Sequence, residues 1–157
     1  MGASGWDYVT AFDGSVERAL ENLHAQVFQE EYGDDDSYET LEDLYADEEF
    51  MEEGAHSILD IERVVHTADP PSQYRVEDIG TLRPLAPDRT AHHFGTDRPT
   101  PEQFQARLAE AYEAMGGHTR SEETLIDECR MRWTGLYVVL YTGDEPTHLG
   151  IFGYSGD

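Results

Sequence analysis

Hydrophobic positions in the first third of the chain recur every three or four residues, the spacing of a helix with one buried face. The first such stripe begins after the capping residue Ser15 and predicts a helix over residues 15–31. Its members are Val16, Leu20, Leu23, Val27 and Phe28. A second, shorter stripe follows Thr40 and predicts another helix that continues toward Phe50 and Met51. Its members are Leu41, Leu44 and Tyr45.

Residues 56–65 have a different pattern, because they are rich in branched side chains that favour extended backbone. The run predicts a strand whose side chains alternate between two faces. The core face would consist of Leu59, Ile61 and Val65, with Arg63 interrupting it. The outer face would consist of His56, Asp60 and Glu62.

Three helices are predicted in the second half. A brief helix through Phe94 begins at Asp88, which is expected to cap it. The clearest local signal is Thr-Pro-Glu-Gln at 100–103, which combines an N-cap, a proline at the first helical position and a capping-box glutamine. A further helix is predicted from Ser121 to about Trp133, with apolar positions at Leu125, Ile126 and Cys129.

The remaining segments predict extended structure. Residues 6–10 alternate and fit either a short strand or an aromatic lid on the core. Residues 79–84 predict a short edge strand, because proline is tolerated at a sheet edge. Residues 136–154 predict a β-hairpin with its turn at 143–146.

Strands and helices therefore mix without strict β-α-β alternation. This favours an α+β fold, with a small, mainly antiparallel sheet, helices packed on one face and a C-terminal β-hairpin. A length of 157 residues fits one domain. Residues 15–53 are expected to form an acidic helix-loop-helix lobe within it.

Charge sets this chain apart. Thirty-four acidic residues face ten basic ones, all arginine, for a net charge of −24. Sixteen of the acids lie between Arg18 and Arg63, an interval with no lysine or arginine, and thirteen lie within 30–53. Such a surface repels nucleic acid and anionic lipid and attracts basic partners. The single cysteine, the absence of a basic or apolar N-terminal leader and the lack of a long apolar run predict a cytoplasmic protein.

Catalytic and metal-binding motifs do not emerge from the spacing. The acidic run at 34–36 fails the EF-hand template, because Glu39 stands where glycine is required and Tyr45 where glutamate is required. The seven histidines lack helical zinc spacing, and Cys129 falls on an apolar stripe that predicts a buried core cysteine. Neither a metal site nor a cofactor is predicted.

Several segments give the chain a resemblance to a group of short acidic proteins from Streptomyces and related actinobacteria. These segments are 5–8, 54–60, 80–85, 95–100 and 153–157. The likeness covers nearly the whole chain and agrees with its lysine-free composition. No activity is assigned to that group, so the resemblance implies a source and a single domain only.

Concentrated charge without catalytic motifs favours a binding protein: an acidic inhibitor, antitoxin or immunity-type protein that docks on a basic partner protein. The expected partner-binding carboxylates are Asp34, Asp35, Asp36, Glu48, Glu49, Glu52 and Glu53, and the expected aromatic anchors are Tyr38, Tyr45 and Phe50. The alternative is a small enzyme or ligand-binding protein of secondary metabolism that uses His56 and Asp60 near a pocket. A third interpretation is that the charge serves solubility alone.

Overall fold

The fold is built around a five-stranded mixed sheet, seen in a computed structural model that describes residues 4–33, 38–49, 57–72, 74–115, 124–129 and 131–155. Its strands are β1 (Ser4–Ala11), β2 (Arg63–Val64), β3 (Thr81–Pro84), β4 (Thr134–Thr142) and β5 (Glu145–Ser155). They lie in the order β1-β5-β4-β3-β2. The long pairs β1–β5 and β5–β4 are antiparallel, whereas β3 runs parallel to both β4 and β2. The predicted α+β class, the mainly antiparallel sheet and the C-terminal hairpin are confirmed.

The two long helices begin where their capping residues predict. Helix α1 (Val16–Tyr32) is capped by Ser15, whose side chain accepts the Arg18 N–H. Helix α4 (Pro101–Met115) starts with a reciprocal capping box between Thr100 and Gln103.

The two shorter helices differ in detail from their predictions. Helix α2 (Leu41–Tyr45) is capped by Thr40 and is interrupted after Tyr45. The chain is helical again at Glu48 and Glu49, where the Asp47 carboxylate accepts the Glu49 N–H, and the predicted continuation to Phe50 and Met51 lies outside the described residues. Helix α3 (Pro87–Phe94) has Ala86, not Asp88, at its N-cap.

The helices lie on both faces of the sheet, which corrects the expectation of one helical face. Alternate residues of β5 pack into two separate cores, one on each face of the sheet, because successive side chains of a strand point to opposite sides. Leu149 and Ile151 join the core under α1. Phe152 joins the core under α3 and α4, where a Cβ on Gly150 would come within 2.7 Å of the Phe104 ring. Glycine is therefore required there for α4 to approach the sheet.

The strand predicted over 56–65 is wrong for most of its length. Residues Ile58–Asp60 form a 3₁₀ turn, and only Arg63–Val64 are extended in the sheet. The cause is a capping box: the Ser57 hydroxyl accepts the Leu59 N–H, and the Asp60 carboxylate accepts the Ser57 N–H. As a result Ile58, which in a strand would lie on the same outer face as Asp60, is fully buried.

Two other predictions are also corrected. In place of a helix over 121–133, the described residues contain a 3₁₀ turn at Leu125–Glu128, closed by Cys129. The strand predicted at 79–84 forms β3, but it is an interior strand. Its proline is tolerated because it is the last residue of the strand and the following N–H, of Leu85, bonds to the Tyr137 carbonyl.

Candidate functional site

The acidic side of the molecule is the layer made by α1, the segment 38–49 that contains α2, and the 57–61 turn, which we call the acidic layer. Its exposed carboxylates are Glu17, Glu21, Glu30, Glu31, Glu39, Glu42, Asp43, Glu48 and Glu49. Asp34, Asp35, Asp36, Phe50, Glu52, Glu53 and His56 lie outside the described residues. The layer therefore presents Glu48 and Glu49 to solvent, as the sequence predicts, together with acids of α1 that the sequence analysis did not single out.

The tyrosines expected to anchor a partner are held by the fold itself. Both rings are half-buried. The Tyr38 hydroxyl donates to the Asp47 carboxylate at 2.5 Å, and the Tyr45 hydroxyl donates to the Leu59 carbonyl at 2.8 Å. Burial, with Asp60 and Glu62 nearby, raises the pKa of Tyr45 to about 12. The two hydroxyls therefore serve as donors within the fold: Tyr45 attaches α2 to the 57–61 turn, and Tyr38 ties the segment before α2 to Asp47 after it.

Carboxylates crowd one another at the end of α1. Partial burial, with Glu30 and Asp60 nearby, raises the pKa of Glu31. A raised carboxyl pKa means that the charged form is disfavoured at this position. At Glu31, repulsion from Glu30 and Asp60 thus adds to the effect of burial, and a nearby positive charge would offset that repulsion.

Asp60 occupies a structural position in the described fold. Its carboxylate accepts the Ser57 N–H at 3.3 Å and the Ser155 hydroxyl at 2.5 Å. Ser155 is fully buried and also accepts the Trp6 indole N–H at 3.0 Å. The carboxylate therefore fastens the 57–61 turn to the end of β5.

A pocket of about 1170 Å³ opens on the opposite face of the sheet, between β3, α3 and the described residues 68–72, 74–79, 128 and 131–133. We call it the arginine pocket. Its charged lining residues are Arg83, Arg89, Arg132, Asp69 and Glu128. Its apolar and aromatic lining residues include Pro70, Pro71, Tyr74, Ile79, Pro84, Leu85, Met131, Trp133 and Leu136. Asp60 does not line it.

Arg83 forms the floor of the arginine pocket and is 6% exposed. Its guanidinium group donates to the Asp78 carboxylate and to the Asp69 carbonyl, each at 3.0 Å. Asp78 is also buried and accepts the Ser72 N–H at 2.7 Å. The Arg83 Nε atom is buried and has no hydrogen-bond acceptor among the described residues.

Arg89 and Glu128 form a second ion pair at the wall of the arginine pocket. The Arg89 Nε and terminal nitrogens approach the Glu128 Oε1 atom at 2.7 and 2.6 Å, and His93 Nε2 lies 2.9 Å from the same oxygen. Burial raises the pKa of Glu128, but the hydrogen bonds from Arg89 and His93 outweigh it and leave the pKa lowered. Glu128 is therefore ionised and bound, while Arg132 is exposed and makes no ion pair with a described residue.

Trp133 lines the arginine pocket and has an unusual left-handed backbone conformation, with φ of 64°. Hydrogen bonds hold it on both sides: its N–H donates to the Tyr154 carbonyl at 2.8 Å, and its carbonyl accepts the Gly80 N–H at 2.7 Å. A bulky side chain in the left-handed region is strained, so these bonds fix the residue where it borders the pocket.

Cys129, predicted to be a core cysteine, is buried. Burial raises the pKa of its thiol, which disfavours the reactive thiolate. The described residues contain no group of three or more His, Cys, Asp or Glu side chains placed to hold a metal ion. No helix in the described part of the chain has the length and apolarity needed to cross a membrane.

The arginine pocket is not predicted from the sequence because its residues come from loops and from elements far apart in the chain. One local signal was present: Arg83 stands in an otherwise apolar segment, five residues after Asp78. A lone arginine among core residues requires a carboxylate partner. Comparison of the chain with protein-family models, with curated proteins and with solved structures finds no match.

Proposed function

We propose that this chain is an acidic binding protein, of the inhibitor, antitoxin or immunity type, that docks on a basic partner protein through its acidic layer. The observation that carries the proposal is the exposure of these carboxylates without compensating cations. Glu42, Glu48 and Glu49 are all exposed, and none makes an ion pair with a described residue. Among the described residues, the ion pairs of this side of the molecule are Arg18 with Asp13 and His66 with Glu17.

Physical chemistry favours recognition at such a surface. Unpaired carboxylates concentrated on one side of a protein attract a cationic partner over about 10 Å at ordinary salt and raise the association rate. Partial burial raises the pKa of Glu31, and repulsion from Glu30 and Asp60 adds to that effect; a basic patch placed against the layer would offset this repulsion. The binding surface would extend beyond the residues expected from sequence to include the outer side of α1.

The alternative function, an enzyme that uses His56 and Asp60 near a pocket, gains no support from the described residues. The arginine pocket does not include Asp60, and the Asp60 carboxylate is engaged by Ser57 and Ser155. We therefore propose binding and not catalysis for the acidic side of the molecule.

The test compares two triple variants that lose the same charge, one from inside the acidic layer and one from outside it. The acidic-layer variant carries glutamine in place of Glu42, Glu48 and Glu49. The matched control carries glutamine in place of three other exposed glutamates: Glu102, Glu113 and Glu145. Wild type and both variants are used to capture proteins from an extract of the source organism at low and high salt.

The expected result is a basic protein retained at low salt by wild type and by the control variant but not by the acidic-layer variant. Its association rate, measured by surface plasmon resonance, should fall at least several-fold in the first variant only. Equal retention by all three proteins would show that the acidic layer is not the interface.

A further inference from the structure

We propose that the arginine pocket binds a small molecule that carries one carboxylate on an aromatic or aliphatic body. This site is separate from the acidic layer, because it lies on the opposite face of the sheet, beside α3. It would give the protein a small-molecule ligand in addition to a protein partner.

The walls of the arginine pocket are suited to an apolar body. Its volume of about 1170 Å³ is slightly above the range typical of ligand sites, roughly 300–1,000 Å³, so a small molecule fits inside it. Prolines 70, 71 and 84 contribute stiff sides, and Leu85 and Leu136 supply buried or half-buried apolar surface. Tyr74 and Ile79 are exposed at 88% and 46%, so apolar surface is left in contact with water at the rim.

The charges of the arginine pocket favour a single carboxylate over a polyanion. Arg83 is matched by Asp78, and Arg89 is matched by Glu128. Arg132 is the lining arginine without such a match among the described residues, and the Asp69 carboxylate at the rim opposes further negative charge. A nucleotide polyphosphate would therefore meet too little positive charge, whereas one carboxylate can bind Arg132 in a charge-assisted hydrogen bond.

The floor of the arginine pocket supplies a second donor. The Arg83 Nε–H is buried and has no acceptor among the described residues, although buried donors are almost always paired. Arg83 itself lines the pocket. With a small shift of the guanidinium group, a ligand oxygen at the floor would accept this hydrogen bond and remove the penalty of an unmade one.

The probes for the test are 1-naphthoate and its neutral counterpart 1-naphthamide, which differ mainly in charge. Binding is measured by isothermal titration calorimetry on wild type, on Arg132→Gln and on Arg107→Gln. Arg107 is an exposed arginine of α4 that is paired with Glu110 and does not line the arginine pocket, so it is a control for the loss of one positive charge.

We expect naphthoate to bind wild type and Arg107→Gln with equal affinity. Its affinity for Arg132→Gln should be about tenfold lower, because that variant loses a charge-assisted hydrogen bond, which is stronger than a neutral one. Naphthamide should bind wild type and Arg132→Gln equally. Equal naphthoate affinity in Arg132→Gln and Arg107→Gln would overturn the proposal, as would equal affinity of the two probes for wild type. Failure of naphthoate to bind wild type at about 1 mM, a very weak affinity, would overturn it as well.

A second pair of variants locates the apolar body. Ile79→Asp alters an exposed residue of the lining, and Val76→Asp alters a neighbouring exposed residue outside it. The first should weaken both probes several-fold, and the second should leave both affinities unchanged. The same effect from both variants would place the probes elsewhere on the protein and contradict the assignment.

Discussion

The hydroxyl of Ser155 donates to the carboxylate of Asp60 at 2.5 Å, although 95 positions of sequence separate them. The same hydroxyl oxygen accepts the indole N–H of Trp6. One buried serine thus joins β1, the 57–61 turn and the end of β5. Asp60, which the sequence suggests as a candidate catalytic group, has a role in holding the fold together.

Ser155→Ala should destabilise the protein by about 1–3 kcal/mol, because it leaves the buried Trp6 N–H without its acceptor. Urea unfolding followed by circular dichroism measures the change. The control is Thr142→Ala, which removes a hydroxyl from the exposed pair with Thr147 and should change stability by less than about 0.5 kcal/mol. If both variants lost the same free energy of unfolding, the buried hydrogen bonds of Ser155 would contribute no more to stability than the exposed one of Thr142.

Asp78→Ala should be far more damaging than loss of an exposed carboxylate. It leaves the guanidinium group of Arg83 buried without its counter-charge, which costs about 3–5 kcal/mol. Asp144→Ala breaks the exposed pair with Arg98 and should cost about 0–1 kcal/mol. Thermal unfolding of the two variants compares them directly, and comparable melting temperatures would refute the difference.

His24 should make the protein less stable as the pH falls below neutral. Burial lowers the pKa of His24, whose Nε2 lies 3.0 Å from the Ile58 carbonyl. The unfolded chain takes up a proton near pH 6.5, whereas the folded protein does so only at lower pH. Stability from this group is therefore full above about pH 6.5 and declines as the pH falls through that value toward the folded pKa.

The variant that tests this is His24→Gln, which keeps a side-chain donor for Ile58 but cannot titrate. Urea unfolding at pH 7.5 and 5.5 should show wild type losing more stability than the variant across that interval. Protonation of carboxylates affects both proteins equally and cancels in the comparison. Identical pH dependence in the two proteins would rule out His24 as the source.

Trp133→Gly should be more stable than Trp133→Ala by about 1 kcal/mol, because glycine adopts the left-handed conformation without steric penalty. Both substitutions remove the indole, so the comparison isolates the backbone. The reverse order is expected at Leu136, within β4, where glycine weakens a strand. Chemical denaturation of the four variants measures both differences; alanine and glycine of equal stability at 133 would show that the backbone is not strained.

The parts of the fold that the sequence predicted are those set by neighbouring residues. Ser15 and the Thr100–Gln103 box begin helices because a cap acts within three residues of itself. The hairpin is also set locally: its turn, predicted over 143–146, is a two-residue turn at Gly143 and Asp144, and that glycine has φ of 64°.

The incorrect predictions arose where two local patterns competed. Ile58, Leu59 and Ile61 have the branched composition of a strand, yet Ser57 and Asp60 close a capping box that curls the chain into a turn. Likewise, Leu125, Ile126 and Cys129 have the spacing of a helical stripe. A single 3₁₀ turn that begins after Thr124 is enough to bury all three.

The placement of helices and the arginine pocket depends on tertiary contacts. Whether α1 and α4 lie on the same face of the sheet depends on which side of the sheet the chain takes when it connects each helix to its neighbouring strands. The hydrophobic periodicity of a helix shows which of its own faces is buried but not on which side of the sheet it lies. The arginine pocket needs Arg83 and Asp78 from one region and Glu128 and Trp133 from another. Only the folded sheet brings these residues together.

The position of β5 between β1 and β4 has a consequence for the speed of folding. Ser4 pairs with Ser155, so β1 has no sheet partner until nearly all the other described elements have been synthesised. Pairing between such distant segments slows folding toward the millisecond-to-second range. Until β5 emerges, Trp6 and Tyr8 remain on an unpaired strand that is available for association with other chains. The yield of folded protein should therefore fall as the protein concentration rises, more steeply than is usual for a domain of this size.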